Sequence, residues 1–431
     1  MTDASPHCLL PRAAALALPC ASLLLPGACL AAGPWLTETG GADTAMAGAG
    51  RVALAIDAAA ISANPAAIGE LRGTQVTAAA IPIRLGFDVA GDAESSGRAP
   101  GVSESSWSGS AFAVRGTGQL ALGLGAYSYA GLGIDYGDDW SGRYGVEEAR
   151  MRSGNLAAAA AWRVSDRLDI GATAAAQYAD VRGKIAVDNS AMFYGPPVDL
   201  PDGQVKLDGG DWSPGGSAGL LYRATDDTRI GLAWTLPVAH AIPLDVRASD
   251  LHPVLASLVP AATRGTMNFT LPGQLAVGLT RRVSPATLVG LGAAWQDWSR
   301  FGRATVSVMD RRVDLFPGGL RDTWNLSAGF RHELGPRWSV SAGLAYDSSP
   351  AKSAAMPAYF PVADQWRVSG GVEHRWGERL VTRLALSVID QGDVHVAQPL
   401  AEWPLPASSA FTGSLRRNRA YVLAVASDFA D

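Results

Sequence analysis

Cysteine is nearly absent: Cys8, Cys20 and Cys29 are the only three in 431 residues, and all lie before residue 30. The remainder therefore has no disulfide framework and no thiolate metal site. Charge is also scarce. Charged residues make up 17% of the chain and the net charge is −5, with no basic cluster. A nucleic-acid-binding role would require one. Long apolar helical runs are missing too. The longest uncharged stretch after the first thirty residues runs from Gly116 to Ile134. It carries glycine at 116, 118, 123, 125, 131 and 133, and each glycine is unfavourable inside a helix. The five later histidines, at 240, 252, 332, 374 and 395, stand singly. No metal pair is read from them, and the sequence is read as lacking a nucleophile elbow. The expectation is a protein that is not an enzyme and needs no cofactor or metal.

What is present is glycine, 49 residues, together with 13 tryptophans. Low charge with abundant glycine and aromatics suits a chain that shows an apolar face to lipid. Arg12, an apolar run from Ala13 to Leu25 and small residues up to Ala31 read as a secretory signal peptide, 1–31. An alternative is a lipoprotein signal acylated at Cys29. The next stretch, 32–73, is unusual. It holds Gly40-Gly41, Ala47-Gly48-Ala49-Gly50, Asp57-Ala58-Ala59-Ala60 and Asn64-Pro65-Ala66. Such a segment is too small-sided to form its own core and too apolar for a solvated tail. It needs enclosure by the rest of the chain.

Residues 74–431 break into stretches of alternating apolar and small or polar residues. Trp338, Val340, Ala342, Leu344 and Tyr346 alternate with Ser339, Ser341, Gly343, Ala345 and Asp347. Period two sends the two sets to opposite faces of a strand. Short turns fall at Gly116-Thr117-Gly118, Ser165-Asp166-Arg167, Thr225-Asp226-Asp227, Ser284-Pro285-Ala286, Gly335-Pro336 and Gly377-Glu378. Between them lie excursions at about 88–106, 131–149, 186–211, 243–267, 300–320, 349–363 and 392–415. Short turns opposite long loops are the habit of outer-membrane barrels. The pattern predicts an all-β, antiparallel transmembrane β-barrel of 14 strands with both ends on the periplasmic side.

One excursion changes period. Leu251, Val254, Leu255, Leu258 and Val259 follow helical spacing, with Asp250 as the expected cap. This segment is read either as a rim helix folded on itself or as an external apolar groove, with Met192, Phe193 and Tyr194 as its opposite wall. Gly123 and Gly125 are the candidates for a strand that leaves its neighbour to open a lateral gap. The alternative for them is simple packing against the enclosed segment.

In order and spacing these residues resemble the FadL-type outer-membrane transporters of long-chain fatty acids and other hydrophobic compounds. The resemblance rests on Gly33-Pro34-Trp35-Leu36, on Asp57-Ala58 with Asn64-Pro65-Ala66, and on Asp227-Thr228-Arg229-Ile230-Gly231-Leu232. It continues in Leu271-Pro272-Gly273-Gln274-Leu275, Trp295-Gln296-Asp297-Trp298-Ser299 and Tyr346-Asp347-Ser348-Ser349-Pro350. It implies a 14-stranded barrel plugged by an N-terminal hatch, here 32–73, with Asn64, Pro65 and Ala66 as the hatch motif. It also implies capture of an apolar ligand between external loops and sideways exit through the wall. The expected partners are a fatty acid or hydrocarbon, outer-membrane lipid with lipopolysaccharide, and the barrel-assembly machinery, with the protein a monomer. Two departures stand out: the terminal aromatic is displaced to Phe429, and 192–209 carries three prolines (Pro196, Pro197, Pro201). The alternatives are a general diffusion porin, or an adhesin or receptor using the long loops.

Overall fold

Alternation along the chain becomes a closed ring in the computed structural model, in which residues 35–91, 101–190, 200–353, 355–398 and 411–431 are described. The proposed signal peptide, 1–31, lies outside the described residues. The first five staves are β1 (Gly73–Gly91), β2 (Gly101–Gly116), β3 (Leu120–Tyr127, resuming as Gly131–Asp135), β4 (Glu148–Ser165) and β5 (Leu168–Val187). Next come β6 (Gly203–Thr225), β7 (Thr228–Thr235 and Val238–Ser249), β8 (Ala262–Leu271 and Gln274–Ser284) and β9 (Thr287–Gln296). The last five are β10 (Thr323–Glu333), β11 (Trp338–Asp347), β12 (Gln365–Trp376), β13 (Leu380–Asp390 and Val394–Gln398) and β14 (Phe411–Ala430). Each pairs antiparallel with its sequence neighbours, and β14 pairs with β1, as in Gln75 opposite Ala430, closing a 14-strand barrel. Closure leaves the sheet without a free first or last strand.

The six expected short turns are all present. The breaks inside β7 and β8 fall at Leu236-Pro237 and Pro272-Gly273, where proline removes a ladder donor. Outward-facing aromatics form two girdles. Trp107, Trp212, Trp234, Trp324 and Trp366 lie towards the extracellular end, and Trp162, Tyr222, Trp338, Trp376 and Phe429 towards the turns. Between them the exposed side chains are aliphatic, such as Leu156, Leu232, Leu326 and Leu384. That is the lipid band of a membrane barrel.

Several excursions are shorter than the sequence suggests, because the wall continues beyond the lipid. β6 is 23 residues long and β5 is 20, whereas ~9–11 residues span a bilayer. Above the upper girdle the outward face carries Lys184, Lys206 and Arg247. Water replaces lipid there, so the apolar–polar alternation that marks a strand disappears although the ladder continues. The excursion at 300–320 contains a small hairpin of its own, Thr305–Val308 with Arg311–Asp314.

Residues 35–71 form little regular structure: helix α1 (Gly41–Ala45), helix α2 (Ala60–Ala63) and a 3₁₀ turn, Pro65–Glu70. Their side chains are largely buried. They touch inward-facing positions of β2 to β14 around much of the ring.

Candidate functional site

The barrel receives the 35–71 segment through positions that have no side chain. A Cβ on Gly219 would lie 1.9 Å from Asn64 Oδ1; on Gly231, 2.0 Å from the Val52 carbonyl oxygen; on Gly343, 2.1 Å from that of Met46. These glycines neighbour others across the ladder: Gly171 opposite Gly219, Gly231 opposite Gly278, Gly329 opposite Gly343. The segment's backbone, and at Gly219 the Asn64 side chain, therefore packs on wall backbone at a separation no alanine would allow.

Asn64, Pro65 and Ala66 stand at the start of the 3₁₀ turn. Asn64 Oδ1 accepts from the Ala66 N–H at 3.0 Å and caps the 3₁₀ turn, while Pro65 opens it. Asn64 Nδ2 donates to the Val52 carbonyl at 2.7 Å and to that of Leu220, on β6, at 2.9 Å. One side chain thus ends a turn, fixes a second loop and holds both to the wall.

Buried ion pairs add further ties that no local motif announces. Glu38 meets Arg367 of β12 at 3.0 Å. Asp57 meets Arg383 of β13 at 3.0 Å, and Arg383 also holds Glu373 and the C-terminal strand's Asp428. Glu70 receives Arg163, Arg223 and Arg229, from β4, β6 and β7.

The wall parts on one side. β2 pairs with β3 only from Ala111–Gly116 to Ala121–Ala126, and when β3 resumes at Gly131–Asp135 it pairs with β4. Trp35 and Leu36 lie along this break. Trp35 bridges Ala130, the Leu36 N–H donates to the Tyr129 carbonyl at 2.7 Å, and the Trp35 and Tyr129 rings stand 4.7 Å apart. Ser110 Oγ of β2 donates to the Thr39 carbonyl at 2.5 Å. Gly123 and Gly125 are on the stave that leaves its neighbour, but they remain laddered to Val114 and Phe112. Their missing side chains admit the Ile61 side chain and the Phe112 ring. They seat the inner segment, and the break comes after Ala126.

Extracellular to the inner segment is an apolar cavity of about 260 Å³. Leu132, Met151, Val205, Val246 and Met267 form its wall, and Phe301, Phe316, Tyr359 and Phe360 close it from the loops. Ring contacts at 5.1–5.6 Å hold the lid together, Phe360 on Phe316 and on Phe301. Tyr136 Oη donates to the Ala358 carbonyl at 2.9 Å, and Tyr359 Oη donates to that of Leu315. Burial pushes both phenols well above their usual pKa, so they stay neutral donors. The size is near the ~300 Å³ lower bound of small-molecule pockets, and so is the mostly apolar lining.

The external groove is only partly as read. The helix is one turn, Pro253–Ala256, and His252 Nδ1 accepts from the Val254 N–H in place of the expected Asp250 cap. Asp250 has a φ of 57°, outside the conformations usual for an N-cap. Leu255 is buried, Leu251 and Val259 are partly buried, and Val254 and Leu258 face solvent, so the five do not share one greasy face. Met192, Phe193 and Tyr194 lie outside the described residues. Asn189 does join the two loops: its Nδ2 donates to the Pro201 and Asp250 carbonyls, and its Oδ1 accepts from the His252 N–H. The pattern Gly-x-Ser-x-Gly does occur, at Gly215–Gly219, contrary to the expectation above. Ser217 lies in mid-strand, hydrogen bonded to Thr173 Oγ1 at 2.8 Å, whereas an elbow requires a strand-to-helix turn.

Comparison with known proteins agrees with this architecture. The fold superposes on a Pseudomonas aeruginosa FadL homologue with a TM-score of 0.82 at 18% identity, covering 92% of this chain and 99% of that one. For the P. putida toluene transporter TodX the TM-score is 0.69 at 16% identity, with 92% and 99% covered. In sequence, the long-chain fatty acid transport protein of Escherichia coli O6:H1 is 25% identical over 377 residues, 80% of this chain and 84% of that protein. These neighbours are transport proteins rather than enzymes. The profile of the outer membrane protein transport family (OMPP1/FadL/TodX) matches residues 22–430, almost the whole sequence, and the chain belongs to that family of outer-membrane barrels.

Proposed function

We propose that the protein takes up hydrophobic molecules by passive diffusion, with residues 32–73 as the hatch and the break between β2 and β3 as the sideways exit. The observation that carries this reading is a shared strand. Leu132, in the part of β3 beyond the break, lines the apolar cavity. A ligand held there lies against the stave that leaves its neighbour at the break. Burial at ~0.8 kcal/mol per CH₂ makes capture favourable; release requires moving Trp35 and Leu36 aside. No nucleotide, metal or chemical step is needed, and the protein works as a monomer in a lipopolysaccharide leaflet after insertion by the barrel-assembly machinery. Relatives named for fatty acids and for toluene support an apolar cargo of either kind.

A disulfide tests the exit. Beyond Cys29 the chain has no cysteine, so Trp35→Cys with Ala130→Cys would join a bridged pair of residues without competing thiols. Uptake of a fluorescent hydrophobic probe into vesicles should fall at least tenfold when oxidised and recover with reductant. Unchanged uptake in the oxidised protein would show that cargo leaves by another route. That route would return the porin-like, axial alternative to consideration.

A further inference from the structure

Among the described residues, the buried and partly buried arginines facing the hatch are well neutralised, with one exception. Arg163, Arg223, Arg331, Arg367 and Arg383 each hold a carboxylate at 3.0 Å or closer. Arg51, on the hatch itself, has only Asp43 at 3.5 Å, and that same Asp43 oxygen already accepts from Thr39 Oγ1 at 3.0 Å. Its other contacts, Thr39 and Ser62 hydroxyls at 3.4 and 3.5 Å, are at the outer limit of a hydrogen bond. Its buried Nε has no partner among the described residues. The guanidinium, 12% exposed, therefore carries unused donors in a place where water is scarce.

Arg51 also stands between two crevices of about 20 Å³ each and lines both with Gln274. Trp35, Tyr127 and Asn155 share the first crevice; Asn325 and Ser327 share the second. Each has room for a water-sized polar group and none for a ring or chain. Trp35 and Tyr127 belong to the break in the wall. A charged head drawn through this lumen would lose its hydration, which is costly unless it is paired. A guanidinium with free donors matches a carboxylate in charge and in forked geometry.

We propose that Arg51 receives the carboxylate head of an amphiphilic ligand as its tail leaves through the break, and so distinguishes acyl carboxylates from neutral hydrocarbons. Asp43 is the resident counter-ion that the ligand displaces. This assignment rests on the uptake reading above and is tested apart from it.

The test compares decanoate with decanol, equal in tail and different in head, by equilibrium dialysis against the full mature protein in nanodiscs, with empty discs subtracted. Arg51→Gln should weaken decanoate binding tenfold or more and leave decanol unchanged. Arg51→Lys, which keeps the charge and loses the fork, should fall between; it also serves if the glutamine variant does not fold. Asp43→Asn should tighten decanoate binding by removing the competitor. Equal losses for both probes would make Arg51 a structural residue and overturn the assignment, as would no loss for either. Wild-type protein that binds decanol while Arg51→Gln leaves decanoate untouched would sink the assignment alone. Wild-type protein that binds neither probe would take the uptake reading down with it.

Discussion

At the scale of single residues, the contact between the 35–71 segment and the wall depends on atoms that are absent. Gly219 is the clearest case, since any Cβ there would stand 1.9 Å from Asn64 Oδ1. Gly219→Ala should push Asn64 from the wall and destabilise hatch docking by about 1–3 kcal/mol, the usual cost of overpacking. Limited proteolysis within 35–71, with thermal unfolding alongside, measures it. Asn64→Ala takes the other side of the same contact. It leaves the Val52 and Leu220 carbonyls and the Ala66 N–H without their partner, at ~1–3 kcal/mol for a buried unsatisfied group. Protease resistance equal to wild type in both variants would mean the glycine seat does not hold the hatch.

At the scale of elements, the ties run between an irregular segment and regular strands. Glu38 and Arg367 are 1% and 3% exposed in their side chains, and the other carboxylate near Arg367, Asp347, is farther away at 3.6 Å, so removing Glu38 leaves Arg367 poorly compensated. Glu38→Gln should cost about 3–5 kcal/mol locally and release 35–39 from the break, seen as faster cleavage near Trp35. Unaltered cleavage would place the latch elsewhere. The 250–261 loop behaves differently along its length. Leu255 is buried, whereas Leu258 is 61% exposed. Leu255→Asp should unfold the loop, measured by loss of protection from hydrogen exchange, while Leu258→Asp should leave protection and ligand capture alike unchanged. Helical spacing had grouped these residues on one face. Spacing reports which side chains align along a helix, but this helix ends after one turn and its residues divide between core and solvent.

At the scale of the whole molecule, the proposed hatch role of the N-terminal segment makes a prediction about what the barrel lets through. Deleting 32–71 should give vesicles permeable to sugars as well as to apolar probes, because the ring closes through its own strand ladder, β14 on β1. If the truncated and full proteins pass sugar probes equally, the segment is no barrier and the porin alternative gains. The break between β2 and β3 is also a property of the whole. Gly123 and Gly125 lie on the stave that leaves its neighbour, but where it does so depends on how far β2 and β4 each follow it, and on Trp35 lying alongside.

The sequence by itself determined the barrel. Alternation, turn chemistry and the aromatic ends of strands are local signals, and a closed antiparallel ring needs little else to specify its order and strand number. It also marked 32–73 as a segment requiring enclosure, since small apolar residues have no other stable arrangement. Tertiary structure decided the rest: which arginine meets Glu38, Asp57 or Glu70, which wall glycines face Met46, Val52 and Asn64, and that Arg51 is left with its donors unused. Those contacts join residues up to several hundred positions apart, as between Thr37 and Arg367. Charge pairing and close approach depend on distance through space, and no period along the chain encodes it.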